Sequence, residues 1–524
     1  MDFIRNFPLF TIVLSLFSGV LCMMLKGRKA RNYTLVYECV LMALCLAVLF
    51  YTVRTGQSFT YVMGEFPAPW GNEIRAGVLE ALMAFSFLLI LFVSVIGGWH
   101  FLVLDIDESK INLYFTLINL LTAALMAIIW TNDTFTGYVF LEILTLTSCG
   151  ILIVRELGRT TLAAVRYMIM NLLGSGLFLL GVVLLYDITG HLLMVPMQNV
   201  IAEISKDPHE MMTLILSLSI LTIGLCIKSG LFPFHFWMPD TYGWATPTSA
   251  SILSSLVSKA YIFLLFKIYY RSVGIAVFEQ MPISRVLFVL GLCGMLFGSL
   301  SALRANNIDR MIAFSSAAQI GYIYMGIGLG GTAGYTAALF HILAHSFTKS
   351  LLFLIAPRLA EVSDSSLLFK KITGSALRSR DAGAFFLVGS LSMIGIPVFA
   401  GFSSKLLFAF AAVSSGSERK WLLTMLMLAV SSVLNAMYFV RTLIRIYSHP
   451  DTEDEPVDEE KYLADMHGAP VSIWQKFTGK KEWQSVPYIA TCGALGILVA
   501  VNLFLGLFSW VVVDLIENGL KMFG

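Results

Sequence analysis

Charge is what this sequence has least of. Asp, Glu, Lys and Arg make up 13% of its 524 residues, about half the ~25% of an ordinary soluble domain. That shortage excludes a soluble globular protein. The seven cysteines include no C-x-x-C pair, which argues against iron–sulfur, zinc and disulfide roles; they read as small buried apolar residues. There is no phosphate-binding loop, no heme or flavin motif, and no soluble domain large enough for a dehydrogenase. Gly326-Ile-Gly-Leu-Gly-Gly331 matches G-x-G-x-x-G, but it ends an apolar helix rather than following a strand, so it does not fit a dinucleotide site. No cofactor and no metal ligand set is expected. The net charge is +2, and no basic cluster is interleaved with aromatics, so nucleic acid is not an expected partner. The short alternating segments of a membrane β-barrel are also missing. The first apolar run, 8–25, is followed by Lys26-Gly-Arg-Lys-Ala-Arg31 in place of a small-residue cleavage site, which makes it a retained helix rather than a signal peptide.

What the chain has is hydrophobic length. It is 57% hydrophobic with a mean hydropathy of +0.80, and its apolar runs approach the ~20 residues that cross a bilayer core. The pattern predicts an all-α polytopic membrane protein. About fourteen spans are expected, at roughly 8–25, 33–53, 76–97, 111–130, 134–154, 161–186, 211–231, 247–270, 284–303, 309–329, 334–356, 384–411, 421–440 and 487–513. The odd-numbered loops carry more than twice the Lys and Arg of the even-numbered loops and termini. By the positive-inside rule the odd loops are cytoplasmic and both termini outer, in a cell inner (cytoplasmic) membrane. Most loops are short. The exception, near 449–485, holds the acidic run Asp451-Thr-Glu-Asp-Glu-Pro-Val-Asp-Glu-Glu460 and then Trp474, Lys480, Lys481 and Trp483. It reads either as a solvated loop or as a docking site or interfacial helix.

The few charges inside these spans are informative. A lysine in hydrocarbon costs about 2.5–3.5 kcal/mol on insertion scales. Lys228, Lys259, Lys349 and Lys405 nonetheless lie in predicted helices 7, 8, 11 and 12, with Glu142, His235, His341 and His345 beside them. Lys267 and Arg166 fall near enough to helix ends to snorkel and are given no role. Helix 7 is interrupted in Lys228-Ser-Gly-Leu-Phe-Pro-Phe-His235, and helix 12 in Gly395-Ile-Pro-Val-Phe-Ala-Gly-Phe-Ser-Ser-Lys405. Gly and Pro unwind helices there. Paired discontinuous helices in two halves point to inverted repeats around an ion site. The expected layout is N-terminal helices in 1–110, one five-helix repeat in 111–271, its inverted copy in 283–447, and a loop with the last helix in 448–524. A lone carboxylate at the depth of Glu142 needs a cationic partner, and Lys228 is the candidate. His341, His345 and Lys349 follow i, i+4, i+8 spacing and share a helix face. A buried lysine that gains or loses a carboxylate partner can bind or release a proton, and histidine titrates near neutrality. Together these residues read as acid–base stations separated by water. For His341 a satisfied core histidine is the bland alternative.

Four stretches carry a resemblance: Tyr138-Val-Phe-Leu-Glu142-Ile, Lys228-Ser-Gly-Leu-Phe-Pro-Phe-His-Phe-Trp-Met-Pro239, His341-Ile-Leu-Ala-His-Ser-Phe-Thr-Lys-Ser-Leu-Leu-Phe353 and the helix-12 break ending at Lys405. Over residues 60–450 the chain resembles the antiporter-like subunits of respiratory complex I, Mrp Na+/H+ antiporters and membrane-bound hydrogenases. The resemblance implies fourteen helices, two inverted five-helix repeats, and broken helices 7 and 12. It implies a Glu142–Lys228 pair facing a neighbouring subunit, Lys259 as connecting lysine, His345 and Lys349 as links, and Lys405 as terminal station. Implied partners are other membrane subunits, including antiporter-like homologues, and in some complexes a peripheral redox module; H+ and Na+ are the implied ions. Gly64-Glu-Phe-Pro-Ala-Pro-Trp-Gly71 and the helix-12 lysine look most like the Mrp D-type subunit. The chain departs from the family in Ala245-Thr-Pro-Thr-Ser-Ala-Ser251, which has one proline fewer, and in Gly77 and Glu80 at the start of helix 3. Two other readings compete. A stand-alone carrier would gather its polar groups into one pocket, and a non-conducting structural subunit would not retain so many buried charges.

Overall fold

The computed structural model describes residues 2–66, 71–364, 366–449 and 488–523. The acidic run and the basic-aromatic stretch that follows it lie outside the described residues, as does the centre of the Gly64–Gly71 segment. Among the described residues, thirteen helices are long and apolar enough to cross a membrane. They are α1 (Phe3–Met24), α2 (Arg28–Thr55), α3 (Val78–Asp105), α4 (Glu108–Trp130), α5 (Thr134–Ile153), α6 (Gly158–Thr189), α7 (Pro208–Trp244), α8 (Pro247–Gln280), α9 (Pro282–Arg304), α10 (Ile308–Leu329), α11 (Gly331–Glu361), α13 (Glu418–Tyr447) and α14 (Ala490–Leu507). The remaining expected span, α12, is split into Arg380–Ile394 and Ala400–Ser414, each half too short to cross alone.

The interruptions fall where Gly and Pro predicted them. The first part of α7 ends at Ser229. Gly230, at φ 77°, turns the chain, and a short helix resumes at Met238–Trp244. In α12 the turn is made by Gly395 at φ 91°. Both positions lie in the left-handed region where glycine is the natural occupant. α8 contains two wider, π-helical stretches, Leu253–Val257 and Ile268–Gly274, a feature often found at functional sites, and is interrupted at Gly274, which has φ 84°, before Ile275–Gln280.

α8 and α11 are the innermost helices; the most apolar stretch of each is buried throughout. Only about a third of the corresponding stretches of α1, α2, α13 and α14 is buried. α9 and α10 meet closely through small residues. A Cβ on Gly291 would stand 2.5 Å from the Met325 amide nitrogen and 2.7 Å from the Gly321 carbonyl oxygen, the close backbone approach that drives helix pairing in lipid.

Several elements were not expected from sequence, among them a helix at Met194–Ile204 between α6 and α7. A hairpin of β1 (Phe59–Val62) and β2 (Glu73–Ala76) pairs Phe59 with Ala76 and Val62 with Glu73. It lies against the α4–α5 turn, where the Asn132 amide donates to the Glu73 carbonyl at 2.9 Å. The last expected span, 487–513, ends early. α14 stops at Leu507, and α15 (Ser509–Phe523) follows as a separate helix. α15 packs on α3 and α11, so the chain after helix 14 is a structural element.

Gly291→Val should destabilise the α9–α10 contact by about 1–3 kcal/mol or more through overpacking. It should lower the thermal unfolding midpoint of the detergent-solubilised protein. Gly158→Ala, where a Cβ meets nothing within 4 Å, should leave that midpoint unchanged.

Candidate functional site: a row of buried lysines

The row begins between α5 and α7. Glu142 Oε1 lies 3.6 Å from Lys228 Nζ, close enough for an ion pair and too far for a hydrogen bond. Lys228 Nζ instead donates to Thr145 Oγ1 at 2.7 Å and sits 5.3 Å from the centre of the Tyr261 ring. The lysine is fully buried, whereas the Glu142 side chain is 21% exposed. Glu142 therefore opens toward the surface of the chain while Lys228 faces inward. The helix ends at Ser229, so the ammonium also sits beside the negative end of the α7 helix dipole.

Lys259, on α8, is fully buried, and its ammonium donates to the Ser254 carbonyl. That carbonyl belongs to the first π-helical stretch. Lys349, on α11, donates to the Ile312 carbonyl at 2.7 Å and to Ser315 Oγ. Hydroxyl groups fill the space between these helices. Ser251 donates to Ser350 at 2.8 Å, Ser254 lies 3.0 Å from Ser316, and Ser346 donates to the Ser255 carbonyl at 2.6 Å.

Along α11 the rings of His341 and His345 stack with centroids 5.8 Å apart. His341 Nδ1 lies 2.6 Å from Ser404 Oγ. Its Nε2 and both nitrogens of His345 are buried without a hydrogen-bond partner among the described residues, an arrangement that favours ordered water as the missing partner. The two histidines and Lys405 line one small cavity together with Gln319. It has about 10 Å³ of space for water centres, room for roughly one molecule.

Lys405 closes the row. Its ammonium donates to the Ile394 carbonyl at 2.5 Å and to Ser432 Oγ at 2.9 Å. The helix break frees the Ile394 carbonyl, and the lysine occupies it. A Cβ on Gly395 would meet Lys405 Cδ at 2.8 Å and Nζ at 3.0 Å. The glycine thus provides both the turn and the space for the ammonium.

His235 stands apart from the others. It lies in the turn after the α7 break, with its ring against Phe232 at 5.7 Å and a buried, unpartnered Nδ1. No hydrogen bond joins it to the row among the described residues. Arg166 is exposed as expected and pairs with Asp240 at 2.6 Å. Lys267 departs from expectation. It is fully buried and donates to the Ile129 carbonyl at 2.6 Å, because the hairpin and α15 cover the end of α8 that hydropathy alone leaves open. Sequence reasoning also missed Thr145, Gln319, Ser404 and Ser432. The one available signal was polarity inside apolar spans, most visibly the serine-rich segment Ser249–Ser258.

Residues 131–434 match the family described as NADH:quinone oxidoreductase/Mrp antiporter, TM. The chain belongs to this family. Among its relatives is NADH-quinone oxidoreductase subunit N of Desulforudis audaxviator, 32% identical over 458 residues that span 84% of this chain and 86% of the relative. Two solved structures share the fold. One is from the Mrp complex of Dietzia sp., with a TM-score of 0.83 and 23% identity over 99% of this chain and 97% of that one. The other is from the membrane-bound sulfane sulfur reductase, an archaeal respiratory membrane complex, with a TM-score of 0.81 and 22% identity over 100% of this chain and 97% of that one.

Thr145→Val removes the hydroxyl that receives the Lys228 ammonium. A hydrogen bond to a charged group contributes about 1.5–3 kcal/mol. The substitution should therefore slow any transport that depends on Lys228 by about tenfold or more, with assembly intact. Dye-monitored proton movement in proteoliposomes measures this.

Proposed function

We propose that this chain is the proton-translocating, antiporter-like subunit of a multisubunit membrane complex, of the Mrp antiporter kind or of the redox-driven respiratory kind. One observation carries the reading. Among the four lysines of the row, three fully buried and Lys405 half-buried, Lys228 alone has a carboxylate, Glu142, within ion-pair distance among the described residues. The other three ammonium groups are held by main-chain carbonyls and hydroxyls. A purely structural charge would be expected to carry a counter-charge, since an unpaired buried ion is a severe stability cost. Groups whose pairing can change are suited to binding and releasing protons.

The mechanism starts at Glu142. While Glu142 faces Lys228, the ammonium is stabilised. When the carboxylate turns away toward a neighbouring subunit, Lys228 gives up a proton to water. The proton moves on through Lys259 and the serine hydroxyls to Lys349 and His345, and across the single-water cavity to Lys405. His341, held by Ser404, borders that cavity. His235, at the α7 break, is placed for proton uptake rather than for the row itself. On this reading 111–271 and 283–447 act as two inverted half-units joined at Lys259 and Lys349. The excess of Lys and Arg in the odd-numbered loops puts those loops in the cytoplasm and both termini outside, in the inner membrane.

Lys228→Ala and Glu142→Ala should each abolish proton translocation while leaving the complex assembled. Wild-type transport in both would sink the proposal. The type of complex is read by purifying the tagged complex in mild detergent and identifying its partners by mass spectrometry. Iron–sulfur or nickel subunits mark a redox-driven pump, and small membrane subunits with other antiporter-like chains mark an Mrp-type exchanger. Transport by the chain alone would favour a self-contained carrier.

A further inference from the structure

A second group of buried charges lies outside the row, at the end of the bundle formed by the hairpin, the α4–α5 turn and α15. Arg75, Glu80, Lys267 and Arg271 are all at least nine-tenths buried. Arg75 donates to Glu80 Oε1 at 2.7 Å, to Ser58 Oγ at 3.0 Å and to the Met522 carbonyl. Arg271 donates to Asn132 Oδ1 at 3.0 Å and to the Phe523 carbonyl at 2.7 Å. Asn132 in turn donates to Glu73 at 2.9 Å. The Phe523 ring sits 5.3 Å from one guanidinium and 5.7 Å from the other. The two arginines are permanently charged, and together they fasten the end of α15 over the group.

The remaining two members are not satisfied in the same way. Lys267 makes one hydrogen bond, to the Ile129 carbonyl, out of the three an ammonium can donate. Glu80 Oε2 is buried with no hydrogen-bond partner among the described residues, although Lys267 and Arg271 lie within electrostatic reach of the carboxylate. Space is kept beside that oxygen: a Cβ on Gly77 would come within 2.8 Å of it. Gly77 has φ −133° and ψ −176°, an extended conformation open to any residue, so the glycine serves room rather than backbone shape. The group thus holds one carboxylate that is bound to a fixed cation and has a free oxygen near a titratable one.

We propose that Arg75, Glu80 and Lys267 form a proton-release station, in which Glu80 exchanges between Arg75 and Lys267 and the end of α15 closes the way out. With Glu80 turned to Lys267, the neutral amine takes a proton from a bridging water: an Nζ–H bond forms as an O–H bond breaks, and Lys259 gives its proton to restore the water. With Glu80 returned to Arg75, that bond breaks, the proton passes to water beyond α15, and a neutral amine remains. The supply is Lys259, eight residues earlier on α8 and about 12 Å away along the helix, with water bridging the gap. This inference rests on the proton-translocating reading and adds an exit within the first half-unit, at the outer side on the orientation given above.

Lys267→Arg separates a relay from a brace. Arginine keeps the charge and the donors but does not release its proton. The whole complex is reconstituted in proteoliposomes with Lys267→Arg or Glu80→Gln, and assembly is checked by size-exclusion chromatography. Expected is normal assembly with proton translocation slowed by at least about tenfold in both, in line with loss of a positioned acid–base group. Translocation within about twofold of wild type in Lys267→Arg overturns the station. If Lys267→Arg does not assemble, Glu80→Gln decides by the same threshold, and failure of both to assemble marks the group as a structural brace and also overturns it. Lys228→Ala run in parallel keeps the two ideas distinct. Its loss of transport beside an active Lys267→Arg removes only the exit, whereas transport by Lys228→Ala removes the larger reading.

Discussion

An ammonium group inside an apolar bundle has to be surrounded by oxygen, and most of this architecture follows from supplying it. A regular α-helix consumes its own carbonyls, so a helix that is to hold a lysine must leave one available. The chain does this in several ways. The break in α12 frees the Ile394 carbonyl for Lys405. The π-helical stretch of α8 presents the Ser254 carbonyl to Lys259. The last turn of α4 lends the Ile129 carbonyl to Lys267, and Lys349 shares the Ile312 carbonyl of α10 with serine hydroxyls. Lys228 alone relies on a side-chain hydroxyl and a carboxylate. In a membrane, irregular backbone is tolerated only where it is buried in protein or lines a wet cavity. The irregularities of this fold are therefore concentrated where its lysines are.

The same demand separates the core from the periphery. α8 and α11, which contribute Lys259, His341, His345 and Lys349, are shielded from lipid by the other helices. The outer helices α1, α2, α13 and α14 keep exposed apolar faces suited to lipid or neighbouring subunits. Both ends of the row, Glu142 and Lys405, are half-buried, while Lys228, Lys259 and Lys349 between them are fully buried.

Much of this was legible in the sequence, because the two strongest signals are physical extremes. Apolar length gives the helix count, and charge within that length gives Glu142 and the four lysines. Gly and Pro next to Lys228 and Lys405 locate both breaks. Other features leave no such trace. The hairpin has strands of only four residues, too short for alternation to stand out. α15 merges with α14 in the sequence pattern because hydropathy does not register the turn at Phe508. Position in the chain puts Lys267 near a helix end, and only tertiary covering distinguishes a buried end from a snorkelling one. Gln319 and Ser404 are ordinary polar residues, and their role emerges only when α10, α11 and α12 meet around one cavity.

The depth of the row has an electrical consequence. Glu142 and Lys259 sit in the middle portions of their helices, and Lys228 and Lys405 beside breaks that interrupt theirs. A charge handed along this row changes helix far more than it changes depth. The membrane voltage, worth about 2.3 kcal/mol per elementary charge per 100 mV across the full bilayer, does little work on it during the sideways passage. Nearly all of that work falls on the steps by which a proton joins or leaves the row. A chain built this way concentrates its voltage sensitivity in the steps of entry and exit and leaves the sideways passage electrically quiet.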